Sequence, residues 1–533
     1  MKILLAALYV EGEDSYEAYE DIGICYVAEY LRSKGLQVLL TGESLSRMDF
    51  DRIVEFGPDL VGVTLYDRTK PDIKAFLLKI KAMVPNARTC IGGCEATFSH
   101  QSIMEEWPFI DYVIRGEGEI TSYKLISALQ EGRDLADVSG ITYRTPKGII
   151  ANGDRPLIDI DSLPFPSRDL LVQKKFRFAT ITGSRGCIRR CAFCCSPKFW
   201  RGWRGRQVGQ IIDEVEEVQR LHGQSRFMFF DDSLDNPNIV RLTQLVQEMA
   251  RRQLDIYYII QMRVEAYNKY TKELLNQMKA TGLVNVYIGI ESFSQYDLKN
   301  VYNKFASVEE NHACIEFFKR NDVPYFANFI MFNPYSTIAN IRTNIEGLKR
   351  HRLASYVRRL VNSYRPYRAS TLYDRMSKDG LISKVIDEFH IGYIDDRIGK
   401  LSSFMTNEFD PFLQKSRSFN EVTFFSRENL FILAGLKIYF QRSGLIDEAG
   451  IVGEVEVQME AVLSAVSDFN IRWFTALVDL AEAGWSDNAA RQVFRDFHVR
   501  DHFQDASEAL KKWKRLMDVK LLRLNKTYAN LLN

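Results

Sequence analysis

Short apolar runs alternate with amphipathic stretches over the first 150 residues. The runs MKILLAALYV, LQVLLTG, DLVGVTLY and ARTCIGG have the length and composition of buried strands. Between them, DIGICYVAEYLRSKG and IKAFLLKIKAMV carry apolar residues at near-helical spacing, and the first of these helices stops at Gly35. Such alternation predicts a Rossmann-like, doubly wound parallel sheet of the α/β class, in which ligands bind at the carboxyl ends of strands.

The alternation recurs over residues 175–400, where the strand ends are unusually polar. Strands are predicted in the segments FATITGSRG, RFMFFDD, DIYYIIQMR, NVYIGIES and YFANFIMF. Helical stretches separate them, such as QVGQIIDEVEEVQRLHG, which places Ile211, Val215 and Val218 on one side. The repeat predicts a β/α barrel, whose active residues lie at the C-terminal ends of its strands.

Beyond residue 400 the pattern is helical. It includes NLFILAGLKIYFQRSG and the basic KKWKRLMDVKLLRLNKTYANLL, and we interpret the latter as a solvated helix face covering the barrel. The predicted division of the chain is a sheet domain, a linker, a barrel and a helical capping region at 1–150, 151–174, 175–400 and 401–533.

The composition is typical of a large cytoplasmic enzyme and indicates little more. The chain has 70 Lys+Arg against 69 Asp+Glu, so no field of one sign points to nucleic acid or to a membrane surface. Its longest apolar runs, such as LFILAGL at 430–436, are too short to span a bilayer. No apolar N-terminal signal is visible and most of the 8 cysteines are scattered, which favours reduced thiols over a disulfide framework.

Three cysteines in GSRGCIRRCAFCCSP form a C-x3-C-x2-C set at Cys187, Cys191 and Cys194. The spacing lets one short loop present three thiolates to a single iron-sulfur cluster. Three ligands for four irons leave one iron open, and an open site is where a substrate or cofactor binds. A structural zinc site is disfavoured because it would need a fourth ligand, and Cys195 is adjacent to Cys194 and poorly placed to complete the tetrahedron.

This loop, with Phe193 just before the third cysteine, resembles the cluster loop of the radical S-adenosylmethionine (SAM) superfamily. The resemblance implies a partial, TIM-like barrel of six β/α units and makes Phe193 a candidate SAM contact. Because C-terminal regions of the family often close over the substrate, it also makes Tyr439, Phe440 and Arg442 candidates to line a substrate pocket. The resemblance implies a 4Fe-4S cluster whose open iron is chelated by the amino and carboxylate groups of SAM. It also implies a 5′-deoxyadenosyl radical that abstracts hydrogen from a substrate, with the protein orienting the cofactors and excluding water.

By the same resemblance, several polar strand ends are expected to contact SAM. Asp231 and Asp232 lie where the family contacts the SAM amino group, and a carboxylate suits an ammonium partner. The alternative for one of the two is to cap the helix that begins near Asn236. In the segment GIES, Glu291 and Ser292 are candidates for the ribose hydroxyls or the methionyl group.

Arginines near the cluster loop are further candidates. Arg263 could bind the SAM carboxylate bidentately, or it could form a surface salt bridge. In WRGWRGR, which resembles Trp/Arg segments of relatives, Arg204 and Arg206 would brace the loop or the cofactor, while packing suffices for Trp203.

Five segments of the N-terminal third resemble, in order, those of cobalamin-binding radical SAM proteins. They are GICYVAEYLRSKGLQV, FGPDLVGVTLY, IGGCEATF, DYVIRGEGE and DSLPFPSRDLL. The resemblance implies that loops after the strands cradle cobalamin, with contacts at Thr64, Leu65, Gly92, Gly93, Gly116 and Glu117.

Two departures from the pattern bear on the cobalamin assignment. The D-x-H-x-x-G motif is absent and no histidine precedes His100, so base-off cobalamin without a protein histidine beneath the cobalt is expected. The acidic segment EGEDSYEAYED matches no family pattern. A domain that keeps the fold without the cofactor is therefore an alternative.

Three functions remain. The leading hypothesis is a methyltransferase that acts on an unactivated carbon of a natural product or peptide, with a flavodoxin or ferredoxin as electron donor. The second is a rearrangement, cyclisation or coupling without methyl transfer, with or without cobalamin. The third is a cobalamin or redox sensor, against which the polar strand ends at Asp231, Asp232 and Glu291 argue, because a sensor needs no complete SAM cradle.

Overall fold

The computed structural model describes residues 1–10, 19–385, 388–409, 411, 415–424, 426 and 430–522. Residues 11–18 of the acidic segment and residues 523–533 of the basic C-terminal stretch lie outside the described residues.

The N-terminal domain is built on a seven-stranded sheet in the order β2-β1-β3-β4-β5-β6-β7. Its first five strands pair in parallel and its last two are antiparallel additions. The strands are β1 Lys2–Leu8, β2 Gln37–Glu43, β3 Leu60–Thr64, β4 Arg88–Gly92, β5 Tyr112–Ile114, β6 Ile141–Thr145 and β7 Gly148–Ala151. The helices are α1 Ile22–Ser33, α2 Phe50–Phe56, α3 Lys70–Met83, α4 Cys94–Glu106 and α5 Gly118–Glu131. The predicted doubly wound sheet is confirmed, and its strand order reverses between β1 and β3, where such folds bind ligands.

Two apolar layers, one on each face of the sheet, hold this domain together. On one face Ile3 and Leu5 of β1 are buried with Ile24 and Leu31 of α1. On the other face, alternate residues of β1 are buried against α3 and α4. Burial on both faces explains why these strands read as continuous apolar runs in the sequence.

The central domain contains a five-stranded parallel sheet in the order β14-β13-β12-β11-β8. Its strands are β8 Ala179–Ile181, β11 Arg226–Phe229, β12 Tyr257–Arg263, β13 Leu283–Glu291 and β14 Tyr325–Phe329. A parallel bridge between Phe332 and Ser363 stands where a sixth strand would follow. The sheet is thus the predicted partial barrel, reduced at its sixth strand to one bridge in the described residues.

Short elements frame the cysteine loop, and longer helices cover the barrel. A two-stranded hairpin pairs β9 Ser184–Arg185 with β10 Arg204–Gly205. The helices of the linker and barrel are α6 Asp169–Lys174, α7 Ser196–Trp200, α8 Val208–His222, α9 Ile239–Arg251, α10 Lys272–Ala280, α11 Val308–Arg320 and α12 Ile338–His351.

The C-terminal region is mainly helical, as predicted. Its elements are α13 Arg358–Val361, α14 Thr371–Lys378, β15 Ile382–Val385, β16 Glu388–Ile391, α15 Asp396–Phe404, α16 Arg417–Phe424, α17 Leu430–Arg442, α18 Ile446–Ala483, α19 Asp487–Asp496 and α20 Val499–Leu522. None of the helices in the described ranges is both long and apolar enough to cross a membrane.

Helix α17 lies at the end of the barrel opposite the polar strand ends. Arg442 donates to the Ala280 carbonyl oxygen at 2.6 Å and to Asp255 Oδ1 at 3.1 Å, and both acceptors precede strands of the barrel sheet. Phe440 is buried in the core. Tyr439 lines a shallow pocket beside Arg442 at this opposite end. These three candidates for a substrate pocket are therefore remote from the cysteine loop.

Candidate cofactor site

The carboxyl ends of both parallel sheets open into one cavity of about 500 Å³. The cavity lies between the N-terminal domain and the barrel, so residues of both domains form its wall. From the sheet domain they include Thr64, Tyr66, Gly92, Gly93, Cys94 and Gly116, and from the barrel Thr182, Ser184, Cys195, Phe230, Asp231, Asp232 and Gln261. Five of the six predicted cobalamin contacts, all but Leu65, and both aspartates of FFDD thus line one cavity.

One arm of the cavity penetrates the N-terminal domain between the sheet and helices α1 and α5. Its lining is mainly apolar and includes Leu5, Leu31, Leu125 and Ile126. Gly62 gives the slot room, because a Cβ there would lie 2.8 Å from Leu5 Cδ2. A deep apolar slot that opens onto polar strand ends suits a large cofactor with a long appendage.

Gly93 shapes the mouth of this slot. Its backbone has φ 96° and ψ −175°, a conformation open essentially to glycine alone. A Cβ at this position would lie 2.9 Å from Thr64 Cγ2. The loops after β3 and β4 therefore approach each other closely, as a backbone cradle for a large cofactor requires. Leu65, by contrast, is fully buried in the apolar core, which leaves only its backbone for a cofactor contact.

Glu117 belongs to a buried ion-pair group that joins the two domains. Arg185 donates to Glu117 Oε1 at 2.6 Å and to Glu119 Oε1 at 2.5 Å, while Arg204 donates to both oxygens of Glu117 at 3.1 Å. We call these four residues the interdomain clamp. Burial alone would raise the pKa of the Glu117 carboxyl, but Arg185 and the other donors outweigh it and lower that pKa. Arg204 is thus bound to a carboxylate assigned to cobalamin, and its role as a brace of the cluster loop or the cofactor stays a prediction.

A second buried network lies behind the clamp. Arg168 donates to Glu20 Oε1 at 2.8 Å and to Glu214 Oε1 at 2.5 Å. Arg206 donates to Glu214 Oε2 at 2.5 Å and to the Thr182 carbonyl oxygen at 3.0 Å. Arg206 therefore holds the turn that leads into the cluster loop, while Trp203 packs over Gly205.

The cysteine loop is held closely by its neighbours. Gly186, with φ 89°, precedes Cys187, and any Cβ there would collide with the Gly202 carbonyl oxygen. The Ala192 N–H donates to the Tyr302 carbonyl oxygen at 2.6 Å. Phe193 packs edge-on against Tyr302 with ring centroids 5.4 Å apart, so it supports the loop from behind.

The chemistry of the three thiols fits a cluster better than a single ion. Cys187, Cys191 and Cys194 are partly exposed, and burial raises the pKa of each thiol. Metal binding removes such protons, since the thiolate is the ligand. Within the described ranges, no three His, Cys, Asp or Glu side chains converge on a position for one metal ion. Cluster cysteines each bind a different iron, so they need no such convergence.

The two aspartates of FFDD have different environments. Asp231 is fully buried and accepts from the Gly183 N–H at 2.9 Å and from the Ser184 hydroxyl. Burial raises the pKa of Asp231 to about 6. Asp232 accepts from the Ser196 hydroxyl and remains exposed to the cavity. Neither caps α9, because Asn238 supplies its N-cap, so the capping alternative is wrong.

Two further predicted SAM contacts, Arg263 and Ser292, also differ in their environments. Arg263 is not a surface residue, since its guanidinium lies 3.4 Å from Asp235 and from Glu265 and only 11% of its side chain is exposed. The surface salt bridge proposed as its alternative is therefore wrong. Ser292 is fully buried, and its hydroxyl lies 3.1 Å from Asp297 Oδ2 and 2.9 Å from Asn344 Oδ1, so it is committed within the core.

Glu291 has a backbone conformation unusual for its type. Its φ is 63°, in the left-handed region, and its carboxylate lies 3.5 Å from Lys304 Nζ. Burial raises the pKa of the Glu291 carboxyl. Strained non-glycine residues cluster at functional sites, which supports Glu291 as a candidate ligand beside the cysteine loop.

Several cavity residues have no signal in the sequence. Phe230 follows a strand end and stays 49% exposed, although it is a large apolar side chain. Cys94 and Cys195 both line the cavity from opposite domains. Only the meeting of the two domains brings these side chains together, so no local pattern could have identified them.

Comparisons with known proteins agree with this arrangement. Residues 12–126 match the family model of the B12 binding domain, and residues 181–346 match that of the radical SAM superfamily. An uncharacterized methyltransferase of Pyrococcus horikoshii is 27% identical over 83% of this chain and 94% of its own length. An anaerobic magnesium-protoporphyrin IX monomethyl ester cyclase of Rubrivivax gelatinosus is 30% identical over 58% of each chain.

A solved structure shares the fold over nearly the whole chain. The cobalamin-dependent S-adenosylmethionine radical enzyme OxsB, with aqua-cobalamin and S-adenosylmethionine bound, superposes with a TM-score of 0.66. The match covers 97% of this chain and 84% of OxsB at 18% identity. The order of sheet domain, barrel and helical region is therefore common to both chains.

Proposed function

Because this chain belongs to the cobalamin-binding radical SAM enzymes, we propose that it transfers a methyl group to an unactivated carbon of a small molecule or peptide. The observation that carries the proposal is the single cavity shared by the strand ends of both domains. Methyl transfer needs one substrate carbon close to two cofactors, and a shared cavity permits that.

Three groups of residues would hold the cofactors. Cys187, Cys191 and Cys194 would bind the cluster; Asp232, Glu291 and Arg263 would contact SAM; and the backbone around Thr64, Gly92, Gly93 and Gly116, with the apolar slot, would hold cobalamin. Asp232 and the cobalamin group line the shared cavity, whereas the three cysteines, Glu291 and Arg263 lie outside its lining. When bound, these cofactors supply a 5′-deoxyadenosyl radical and a transferable methyl group. The protein's own part is to orient them and keep water out.

None of the histidines within the described residues lines the cavity. His100 is the first histidine of the chain, and its Nδ1 lies 3.0 Å from the hydroxyl of Thr142. Binding of cobalamin without a histidine ligand stays a prediction, which rests on the missing D-x-H-x-x-G motif.

The mouth of the cavity favours a substrate with an apolar portion. Phe230 and Tyr66 expose 49% and 38% of their surface there. Natural products and peptides both offer such a portion, and the near-neutral chain charge favours neither anion nor cation. A flavodoxin or ferredoxin in the cytoplasm would supply the electron.

A second candidate is a radical reaction without methyl transfer. It is favoured by the similarity to the anaerobic cyclase, which covers 58% of each chain. Substrate placement between the two cofactors would decide between the candidates.

Anaerobic reconstitution with iron, sulfide and hydroxocobalamin tests the proposal. About four irons and one cobalt per chain are expected, with both 5′-deoxyadenosine and S-adenosylhomocysteine formed from SAM. Deoxyadenosine without S-adenosylhomocysteine would favour the second candidate. Binding of cobalamin without any SAM cleavage would favour a sensor.

A further inference from the structure

One largely buried carboxylate joins the cluster loop to the strand end that carries Arg263. Glu265 follows β12 after a single intervening residue, and 13% of its side chain is exposed. Its Oε1 accepts from Arg189 Nε at 2.8 Å and from Arg263 Nη1 at 3.4 Å. Two guanidinium groups from different parts of the barrel domain therefore meet at one oxygen atom.

Arg189 brings the cluster loop to this carboxylate. It lies between Cys187 and Cys191, and its backbone N–H donates to Cys187 Sγ at 3.4 Å. Its guanidinium also lies over the Phe305 ring, 4.2 Å from the centroid. The 2.8 Å contact with Glu265 has the length of a charge-assisted hydrogen bond, so it fixes the loop beside its first predicted cluster ligand.

Arg263 is held more loosely, by one acceptor on each of its three nitrogen atoms. Nε lies 3.3 Å from the Ser233 hydroxyl, Nη1 lies 3.4 Å from Glu265 Oε1, and Nη2 lies 3.4 Å from Asp235 Oδ2. All three contacts are longer than the roughly 2.8 Å of a charge-assisted hydrogen bond. A guanidinium carries more N–H donors than these three acceptors use, so Arg263 keeps the capacity to bind a ligand carboxylate.

The position of Arg263 in the sheet suits that role. Gln261 lines the cavity, and Arg263 follows it by two residues on β12, so both side chains are on the same face of the strand. The neighbouring strands β11 and β13 lead to Asp232 and Glu291, the other proposed SAM contacts. Arg263 thus lies at the strand end between them.

We propose that Glu265 is a positioning residue for SAM, whose single carboxylate holds Arg263 in a fixed place relative to the cluster loop. This role rests on the proposed function, which assigns Cys187 to the cluster and Arg263 to the SAM carboxylate. An arginine that binds this carboxylate serves the open iron only at a defined distance from the loop. Glu265 sets that distance because it binds Arg189 and Arg263 with the same oxygen atom.

The test uses the anaerobically reconstituted holoenzyme with its cluster kept oxidised, so that SAM binds and is not cleaved. In Glu265→Gln the two guanidinium groups lose the anion between them and repel each other. The Kd for SAM, measured by equilibrium dialysis, should rise about 10-fold, while iron stays at about four per chain. Glu273→Gln is the matched control, because it removes an exposed carboxylate in the first turn of α10, and it should change neither quantity.

A double-mutant cycle separates positioning from general damage. Arg263→Lys should also raise the Kd for SAM, because an ammonium group does not bind a carboxylate bidentately. Since Glu265 acts through Arg263, adding Glu265→Gln to Arg263→Lys should raise the Kd by less than about two-fold more.

Three results would overturn the role proposed for Glu265. They are unchanged SAM affinity in Glu265→Gln, loss of iron in that variant, which would make Glu265 a structural brace of the loop, and additive effects in the double variant. If Arg263→Lys binds SAM normally, Arg263 is not a SAM contact and Glu265 does not act through it. Methyl transfer is measured in none of these arms, so failure here is distinct from failure to form S-adenosylhomocysteine.

Discussion

The two α/β domains present their strand ends to one cavity with different chemistry. The N-terminal domain offers mostly backbone, at Thr64, Gly92, Gly93 and Gly116. The barrel offers titratable side chains, among them Asp231 and Asp232. Two of the three acidic residues that line the cavity from the N-terminal domain, Glu117 and Glu119, are neutralised by Arg185 and Arg204, and the third is Asp21.

This difference indicates two modes of recognition. A domain that recognises its cofactor by backbone and shape can hold a large ring that has few complementary charges. A domain that binds an amino acid moiety needs a carboxylate and a cation at fixed positions. The comparison predicts that damage to one domain should affect one cofactor, whereas damage to the clamp should affect both.

The largest effect is expected from replacing the cluster ligands. The triple variant Cys187→Ala, Cys191→Ala, Cys194→Ala should lose cluster absorbance and all SAM cleavage, because no other thiol can replace three iron ligands. Cobalamin binding should persist, since its cradle lies in the other domain. Iron analysis, deoxyadenosine detection and cobalamin titration measure these three results, with Cys314→Ala as the control.

Two results would contradict this division. Residual SAM cleavage would refute the cluster assignment. Loss of cobalamin binding together with the cluster would show that the two domains do not act separately.

A strong effect on both cofactors is expected from breaking the interdomain clamp. Glu117→Gln keeps the shape of the side chain but removes the buried carboxylate that Arg185 and Arg204 share. The free energy of unfolding should therefore fall by about 3 kcal/mol. The apparent Tm of the apoprotein, the affinity for cobalamin and the affinity for SAM should all fall. Glu131→Gln removes a carboxylate that pairs with Arg133 on the surface, so it is the matched control and should change none of the three quantities noticeably. If Glu117→Gln and Glu131→Gln behave equally, the interdomain clamp contributes neither to stability nor to cofactor binding.

The elements of both domains could be predicted from local pattern, because each has a strong periodic signal. The apolar runs of the N-terminal sheet and the strand segments ending at Asp232, Arg263 and Ser292 all match observed strands to within a few residues. The cysteine motif is recognised from its spacing along the chain, so no tertiary information is needed to predict it. The weak sixth strand of the barrel, reduced to the bridge at Phe332, has no such signal.

The partners of the side chains could not be predicted in the same way. Glu117 was assigned to cobalamin because it lies in a family segment, yet its carboxylate is bound by arginines 68 and 87 residues later in the chain. Ser292 lies at a strand end as expected, but Asp297 and Asn344 occupy its hydroxyl. Long-range pairs of this kind depend on how domains meet, which periodicity does not encode.

Replacing Gly93 is expected to lower the affinity for cobalamin moderately and to leave SAM binding unchanged. In Gly93→Ala the backbone would be forced out of a glycine-only conformation, at a cost of about 2 kcal/mol, and the new Cβ would press on Thr64. Cobalamin affinity should fall roughly 10-fold or more, while iron content and SAM binding stay unchanged. Gly153→Ala is the control, since a Cβ there meets nothing within 4 Å. If SAM binding falls as well, damage to the N-terminal domain does not affect cobalamin alone, and the proposed division of the two cofactors between the domains is wrong.

The smallest effect is a pH dependence that belongs to the barrel alone. The pKa of Asp231 is raised by burial from 3.8 to about 6, so between these values the folded protein keeps a proton that the unfolded chain has lost. The contribution of Asp231 therefore favours the fold below about pH 4 and weakens as pH rises through 6. From pH 5 to 7 the expected loss is about 1 kcal/mol.

Asp231→Asn tests this contribution because an amide does not ionise and can still accept from the Gly183 N–H. Its apparent Tm in the apoprotein should fall less between pH 5 and 7 than that of the unmodified chain. Asp137→Asn, at an exposed position, shows what the loss of one surface carboxylate does by itself. If Asp231→Asn and the unmodified chain have parallel Tm curves, the Asp231 carboxylate is stabilised as an anion by Ser184 and Gly183. The barrel end would then carry a fixed negative charge beside Asp232 at neutral pH, and its contrast with the backbone cradle of the N-terminal domain would be sharper still.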